Sequence, residues 1–197
     1  MFRVGFVGVP GSGKTSIARA LAAFCRKNEN LKRVELIPEY ARRYITKYGQ
    51  IDHLADQYKI MEKQTEWEDQ VPKSETDLII TDSPIHLGWL YVLEFKLTRH
   101  KDIMYMNDIF KKLNKSNYPS RYDIIFHIPP KFFPVVDGVR KKQHFDPVWR
   151  NEADATIKFV FKQFKPNNFI ELKTESLEDR VSECMKHIND KLFKKDE

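Results

Sequence analysis

The residues with the clearest chemistry lie in one run, Gly8-Val9-Pro10-Gly11-Ser12-Gly13-Lys14-Thr15, followed by Ser16. The spacing matches G-x-x-x-x-G-K-[ST], a glycine loop whose backbone N–H groups wrap a phosphate. Glycine at Gly8, Gly11 and Gly13 lets the main chain close around an anion without Cβ clashes. The N-terminus of a following helix adds partial positive charge at the same place. Lys14 has the reach for the β- and γ-phosphates of a nucleotide, and the Thr15 hydroxyl is a hard oxygen ligand suited to Mg²⁺. The loop from Gly8 through Pro10, Gly11, Ser12 and Gly13 to Lys14, Thr15 and Ser16 is therefore the expected nucleotide cradle.

Other chemistry sits downstream. Asp82 closes the apolar run Leu78-Ile79-Ile80-Thr81 and can hold Mg²⁺ through water or take the proton of an attacking hydroxyl; a turn-forming or helix-capping aspartate before Pro84 is the bland alternative. Glu39 and Arg42 are three residues apart in a helical pattern behind Pro38, as an acceptor or base and an anion clamp, or as a surface ion pair. Val136-Asp137-Gly138-Val139-Arg140-Lys141-Lys142 is a glycine turn running into three cations. Cations on a loop after a strand can neutralise charge on a transferred phosphoryl group, with Arg140 the first choice and Arg150 the second.

These groups need a frame. Phe2, Val4, Phe6 and Val7 form an apolar run before the glycine loop, and Ile17, Ala18, Leu21, Ala22 and Cys25 recur at helical spacing after it. Strands are expected at 34–38, 77–81, 122–128 and 168–172, with helices at 39–44, 52–69, 85–97, 151–164 and 176–189. Within 52–69 the glutamines Gln57 and Gln64 suggest a polar helix over a cleft, and Ala155, Phe159 and Phe161 are the expected packing residues of 151–164. Ser176 and Asp179 have capping-box spacing. Such an alternation of β and α implies a mostly parallel sheet of about five strands with helices on both faces.

The chain has 197 residues, a length that suits one domain spanning 1–197. The net charge of +6 favours anionic ligands. Part of that charge lies between Lys96 and Arg121, where cations alternate with Phe95, Tyr105, Phe110 and Tyr118: a composition for contacting nucleic acid, or a solvated face. Cys25 and Cys184, the two cysteines, give neither a disulfide framework nor metal-ligand spacing, which suits a reducing, cytoplasmic setting. The opening run is too short for a signal peptide, and no stretch is apolar enough to span a bilayer.

With these pieces placed, the sequence resembles small P-loop kinases of the nicotinamide riboside kinase type and related bacterial and phage kinases. The resemblance rests on G-V-P-G-S-G-K-T at 8–15, P-E-Y-A-R-R-Y at 38–44, Asp82 and D-G-V-R at 137–140. It implies a three-layer P-loop kinase fold with a basic lid at about 131–150. It also implies ATP and Mg²⁺ as cofactors, with Thr15 and Asp82 at the metal. The expected reaction is transfer of the γ-phosphoryl group to a hydroxyl of a nucleoside or nucleotide, with Lys14, Asp82, Arg140, Glu39 and Arg42 at the site. The weight of basic residues in 96–121 leaves room for a hydroxymethylated base in phage DNA as acceptor. A nucleotide-gated regulatory ATPase is the third reading.

Overall fold

The computed structural model describes residues 1–92, 100–115, 121–131, 141–164 and 168–192. Strand β1 (Phe2–Val7) is buried along its whole length, as expected of an apolar run inside a parallel sheet. It leads through the glycine loop into helix α1 (Lys14–Cys25). Then follow β2 (Val34–Ile37), α2 (Tyr40–Tyr48), α3 (Leu54–Asp69), β3 (Leu78–Thr81), α4 (Leu87–Val92) and α5 (His100–Lys115). The chain continues through β4 (Ile124–His127), a 3-10 turn (Lys142–Phe145), α6 (Pro147–Phe164), β5 (Phe169–Glu171) and α7 (Leu177–Leu192).

The sheet has five strands in the order β2-β3-β1-β4-β5, and every pairing is parallel. Register aligns Ile37 with Thr81, Thr81 with Gly5, and Val7 with His127. The residues just past the strands, Gly8, Glu39, Asp82 and Ile128, therefore share the carboxyl edge of the sheet. Chain order reverses on either side of β1, and in open α/β sheets that reversal opens the crevice in which ligands bind.

Helices cover both faces. On one, Ile17, Leu21 and Cys25 of α1 pack with Val181, Cys184 and Ile188 of α7. On the other, Leu87 and Leu90 of α4 meet Ala153, Ile157 and Phe161 of α6 over Val7 and Ile125. Leu54 and Met61 of α3 join Ile85, Val92 and Ile109 in a third cluster. Each large aliphatic side chain buried in this way stabilises the fold by about 1.5–3 kcal/mol relative to exposure. Gly5 is small because Pro84 crosses β1 there: a Cβ at Gly5 would lie 2.5 Å from Pro84 Cγ.

Two expectations from the sequence need correction. The polar flank of α3 faces inward: Gln57, Gln64 and Glu68 are buried. Glu68, fully buried, accepts a hydrogen bond from Tyr122 Oη at 2.7 Å and from Arg121 Nε at 2.8 Å, with Arg3 Nη1 3.8 Å away. These partners compensate a carboxylate that burial would otherwise make costly. Helix α6 begins at Pro147, four residues earlier than the sequence pattern suggests, because Asp146 caps it: Val148 N donates to Asp146 Oδ1 at 3.1 Å. Proline at the first helical position loses no needed donor. The buried stripe of α6 runs through Ala153, Ile157 and Phe161 at i, i+4, i+8 spacing, where it meets α4, and leaves Phe159 67 % exposed. No helix among the described residues is long and apolar enough to cross a membrane.

Candidate active site

The loop after β1 is built by its glycines. Gly11 and Gly13 have φ of 78° and 99°, values that L side chains adopt at a cost. At Gly8 the restriction is also steric: a Cβ would stand 2.6 Å from Ser12 Oγ and 2.7 Å from the Ile128 carbonyl. Ser12 N donates to Val9 O at 3.1 Å and Ile17 N to Gly13 O at 3.1 Å, so the turn passes directly into α1. Ser12 is buried, and its Oγ has no hydrogen-bond partner among the described residues. The Lys14 ammonium folds back over the loop, donating to Gly8 O at 2.8 Å and Val9 O at 3.1 Å.

The end of β3 meets the start of α1. Thr15 Oγ1 donates to Asp82 Oδ2 at 2.7 Å, while the backbone N–H of Asp82 donates to Ile37 O at 3.0 Å. Asp82 is 4 % exposed and its Oδ1 has no hydrogen-bond partner among the described residues. Burial, helped by the negative charge of Glu39, pushes the Asp82 carboxyl up to about 6, against the opposing pull of Thr15, Lys14 and Arg42. A hydroxyl and a buried carboxylate with an unengaged oxygen form an oxygen-only donor set, the chemistry that a hard divalent cation takes. Thr15 and Asp82 therefore fit Mg²⁺.

Glu39 sits at the N-cap of α2 with Arg42 at 4.0 Å, and both act electrostatically on Asp82. Helix α3 fixes this corner: Tyr40 N donates to Gln64 Oε1 at 2.9 Å, and the Tyr40 ring meets Trp67 edge-on at 4.9 Å. Gln64 Nε2 is a buried donor with no hydrogen-bond partner among the described residues. The fold thus brings Lys14, Thr15, Asp82, Glu39 and Arg42 to one place.

Other sequence candidates lie elsewhere. Arg140 is outside the described residues, as is the side chain of Trp89. Arg150 is buried in α6 against the glycine loop, donating from Nη1 to Pro10 O at 2.5 Å and to His144 O at 3.3 Å. His86 packs between the Tyr122 and Phe161 rings, at 5.0 and 5.5 Å, as a core residue. Of the segment 96–121, residues 96–99 and 116–120 are outside the described residues; Lys101 and Lys111 of α5 are exposed, but Arg121 is not solvent-facing: it is committed to Glu68 and to Asp69 Oδ1 at 2.9 Å. Sequence reasoning missed two features of this edge. His127, the last residue of β4, has Nε2 2.7 Å from Asp154 Oδ1, which holds α6 to the sheet one turn beyond Arg150. Arg180 of α7 brings Nη1 within 3.7 Å of where a Gly13 Cβ would stand. Neither residue belongs to a local pattern, so no signal in the sequence points to them.

A family model described as AAA domain matches residues 3–180. Among solved structures, NadR protein in complex with NR superposes with a TM-score of 0.77 at 19 % identity, over 100 % of this chain and 53 % of that one. The chain thus spans about half the length of that protein. Deoxyadenosine kinase from M. mycoides matches with a TM-score of 0.63 at 12 % identity, covering 95 % of this chain and 99 % of that chain. Thymidylate kinase from Ehrlichia chaffeensis matches with a TM-score of 0.62 at 16 % identity, covering 95 % and 98 %. At these identities the likeness is one of fold, and that fold is the kinase-like P-loop α/β architecture. No curated protein matches the sequence.

Proposed function

The chain belongs to the AAA domain family, and we propose that it is an ATP-dependent phosphotransferase that moves the γ-phosphoryl group of ATP to a hydroxyl of a nucleoside- or nucleotide-type acceptor. The observation that carries this reading is the Thr15–Asp82 hydrogen bond, with the charge of Glu39 acting on the same carboxylate. A phosphate cradle alone would serve any nucleotide binder. A strand-end carboxylate and a second acidic residue beside it supply what transfer to a hydroxyl needs.

The loop amides and Lys14 hold the β- and γ-phosphates, and the ammonium exchanges the Gly8 and Val9 carbonyls for phosphate oxygens. Thr15 and Asp82 hold Mg²⁺, which when bound offsets negative charge on the phosphates. Glu39 and Arg42 orient the acceptor: the carboxylate accepts the hydrogen bond of its hydroxyl and the guanidinium steadies it. A bond forms between the acceptor oxygen and the γ-phosphorus as the bond to the β–γ bridging oxygen breaks. The hydroxyl proton passes to a carboxylate of the Glu39–Asp82 pair, and ADP departs. Positioning and electrostatics carry most of such a reaction. The reading treats 1–197 as one unit with a lid at about 131–150, and does not depend on Arg140.

The test is a screen of nucleosides, nucleotides and hydroxymethylated duplex DNA with γ-labelled ATP, run beside Lys14→Ala. The expected outcome is label on a nucleoside or nucleotide, lost by orders of magnitude in a folded Lys14→Ala protein. Label on the DNA would move the acceptor to a polymer, and label released only as phosphate would reduce the protein to an ATPase.

A further inference from the structure

Helix α6 carries a polar stripe beside its apolar one: Arg150, Asp154 and Lys158 recur at i, i+4 and i+8 and share one face. Each is tied to a different part of the sheet's carboxyl edge. Asp154 Oδ1 lies 2.7 Å from His127 Nε2 at the end of β4, and Lys158 Nζ lies 3.1 Å from Glu171 Oε2 at the end of β5 and 3.2 Å from Asp154 Oδ2. These contacts set the height of α6 against the sheet. Arg150, one turn nearer the start of the helix, reaches the loop after β1: its Nη1 donates to Pro10 O at 2.5 Å and to His144 O at 3.3 Å, and the residue is 3 % exposed.

A cation on a main-chain carbonyl of an anion-binding loop has a consequence for the amide next to it. Pro10 has no N–H, so its carbonyl is the only hydrogen-bonding group of its main chain. No cis peptide occurs among the described residues, and in the planar, trans Pro10–Gly11 peptide the C=O and N–H point in opposite directions. A carbonyl drawn toward Arg150 therefore turns Gly11 N–H away from α6, to the other side of the loop. Gly11 N–H takes no hydrogen bond among the described residues, whereas Ser12 N is spent on Val9 O. The tether matters because Gly11 has φ of 78° and no Cβ, so the peptide before it meets little steric resistance to turning over. Lys14 covers the Gly8 and Val9 carbonyls, and Arg150 covers the next one.

We propose that Arg150 is a positioning residue for the donor nucleotide: by holding the Pro10 carbonyl it aims Gly11 N–H at a phosphate and, through the polarised peptide, makes that N–H a stronger donor. The assignment rests on the phosphate-binding part of the phosphotransferase reading above. It differs from a transition-state arginine, which would touch the transferred group itself.

Pro10–Gly11 is the one Pro–Gly step in the sequence, so protein labelled with ¹³C-carbonyl proline and ¹⁵N-glycine gives a single carbonyl–amide NMR correlation that reports this peptide. The spectrum is recorded without nucleotide for the wild type, Arg150→Met and Arg150→Lys, followed by calorimetry with Mg²⁺-ATP and Mg²⁺-ADP, steady-state kinetics and urea unfolding. Arg150→Met keeps an apolar stem and no donor. It is expected to move the correlation upfield in its carbonyl dimension and to weaken both nucleotides by a similar factor, about tenfold or more. The value of kcat at saturating ATP stays within about threefold, the pattern of a contact equally strong before and during transfer. The Arg150→Lys ammonium ends one bond short of the guanidinium nitrogens, so this variant also moves the correlation but loses less affinity. An unmoved correlation overturns the assignment, as do unchanged affinities in a folded Arg150→Met protein, whatever its loss of stability in urea. A kcat lowered by orders of magnitude with both affinities kept overturns it too, and places the guanidinium on the transferred group. If Arg150→Met does not fold, Arg150→Lys decides by the same two readouts. A wild type that binds neither nucleotide overturns the phosphotransferase reading along with the assignment; a wild type that binds both and labels no hydroxyl overturns that reading alone.

Discussion

The Thr15 hydroxyl donates to the Asp82 carboxylate across 2.7 Å, joining the first turn of α1 to the tip of β3. The two residues are 67 positions apart in sequence, and the parallel pairing of β1 with β3 is what brings them together. Neither side chain is free to wander, since Thr15 is part of a helix and Asp82 is anchored by its amide to Ile37 O. Two hard oxygen donors are thereby held next to the Lys14 ammonium before any nucleotide arrives, so little ordering cost falls on binding.

The first prediction concerns rate against pH. Burial and the charge of Glu39 raise the Asp82 carboxyl to about 6, and the metal-holding form is the ionised one. The value of kcat/KM should therefore rise with pH through about 6 and level off above it. Asp82→Asn should lower kcat/KM by orders of magnitude and remove that limb. A wild-type profile flat from pH 5 to 8 would count against Asp82 as the metal carboxylate.

The same shift makes a prediction about stability, with a sign opposite to that of a salt-bridged aspartate. The folded state holds the Asp82 proton up to about pH 6, whereas the unfolded chain releases it near the ordinary value of 3.8. Between those values the native state binds more protons, so ionisation costs stability as pH rises and the cost is complete above the folded value. Asp82→Asn removes it. In denaturant unfolding without nucleotide or metal, the variant should match the wild type near pH 4. It should exceed it above pH 7 by at most on the order of 3 kcal/mol.

A third prediction separates the loop's shape from its charge. Gly8→Ala places a methyl 2.7 Å from the backbone carbonyl of Ile128, which is held in place because Ile128 N donates to Val7 O at 2.8 Å. The loop has to move, so affinity for ATP should fall at least tenfold, with stability lowered by about 1–3 kcal/mol. Gly88→Ala is the control. Its methyl meets mainly the flexible Met61 side chain, at 2.6 Å from Sδ, so nucleotide affinity should hold.

The parts of this site that could be read from the sequence are those carried by local pattern. The loop from Gly8 to Thr15 has a fixed spacing because consecutive amides must converge on one anion, and a parallel sheet announces itself through continuous apolar runs such as Leu78-Ile79-Ile80. Asp82, Glu39 and Arg42 were accessible because strand ends in such sheets face the ligand. What escaped is what depends on long-range packing. Glutamines at 57 and 64 look like a solvated flank, and only the approach of Gly88 and Tyr40 shows them buried. Arg121 looks like one of a run of surface cations until Glu68 is found beneath it. The cap at Asp146 and Pro147 was legible and would have placed the start of α6, whereas its packing stripe depends on the contact with α4.

The buried cluster under α3 supports the last prediction. Tyr122 Oη donates to Glu68 and accepts from Ile85 N at 3.4 Å, tying α3, the approach to β4 and the turn after Asp82 to one hydroxyl. Burial, and then the Glu68 charge, push the Tyr122 hydroxyl well above its ordinary value, so it stays a neutral donor throughout the working pH range. Tyr122→Phe keeps the ring and deletes that donor, leaving Glu68 to Arg121 and the more distant Arg3; the expected loss is about 1–3 kcal/mol. Glu68→Ala is worse, since it removes the buried carboxylate between Arg121 and Arg3 and leaves them the half-exposed Asp69, and should cost about 3–5 kcal/mol. The two losses are not independent, because the hydroxyl's main partner is the carboxylate. Tyr122→Phe in a Glu68→Leu background should therefore cost clearly less than in the wild type, by about 0.5 kcal/mol or more. Additive losses in urea unfolding would mean that the hydroxyl acts mainly through Ile85, and Tyr122→Phe should then disturb Asp82 and the pH–rate profile instead.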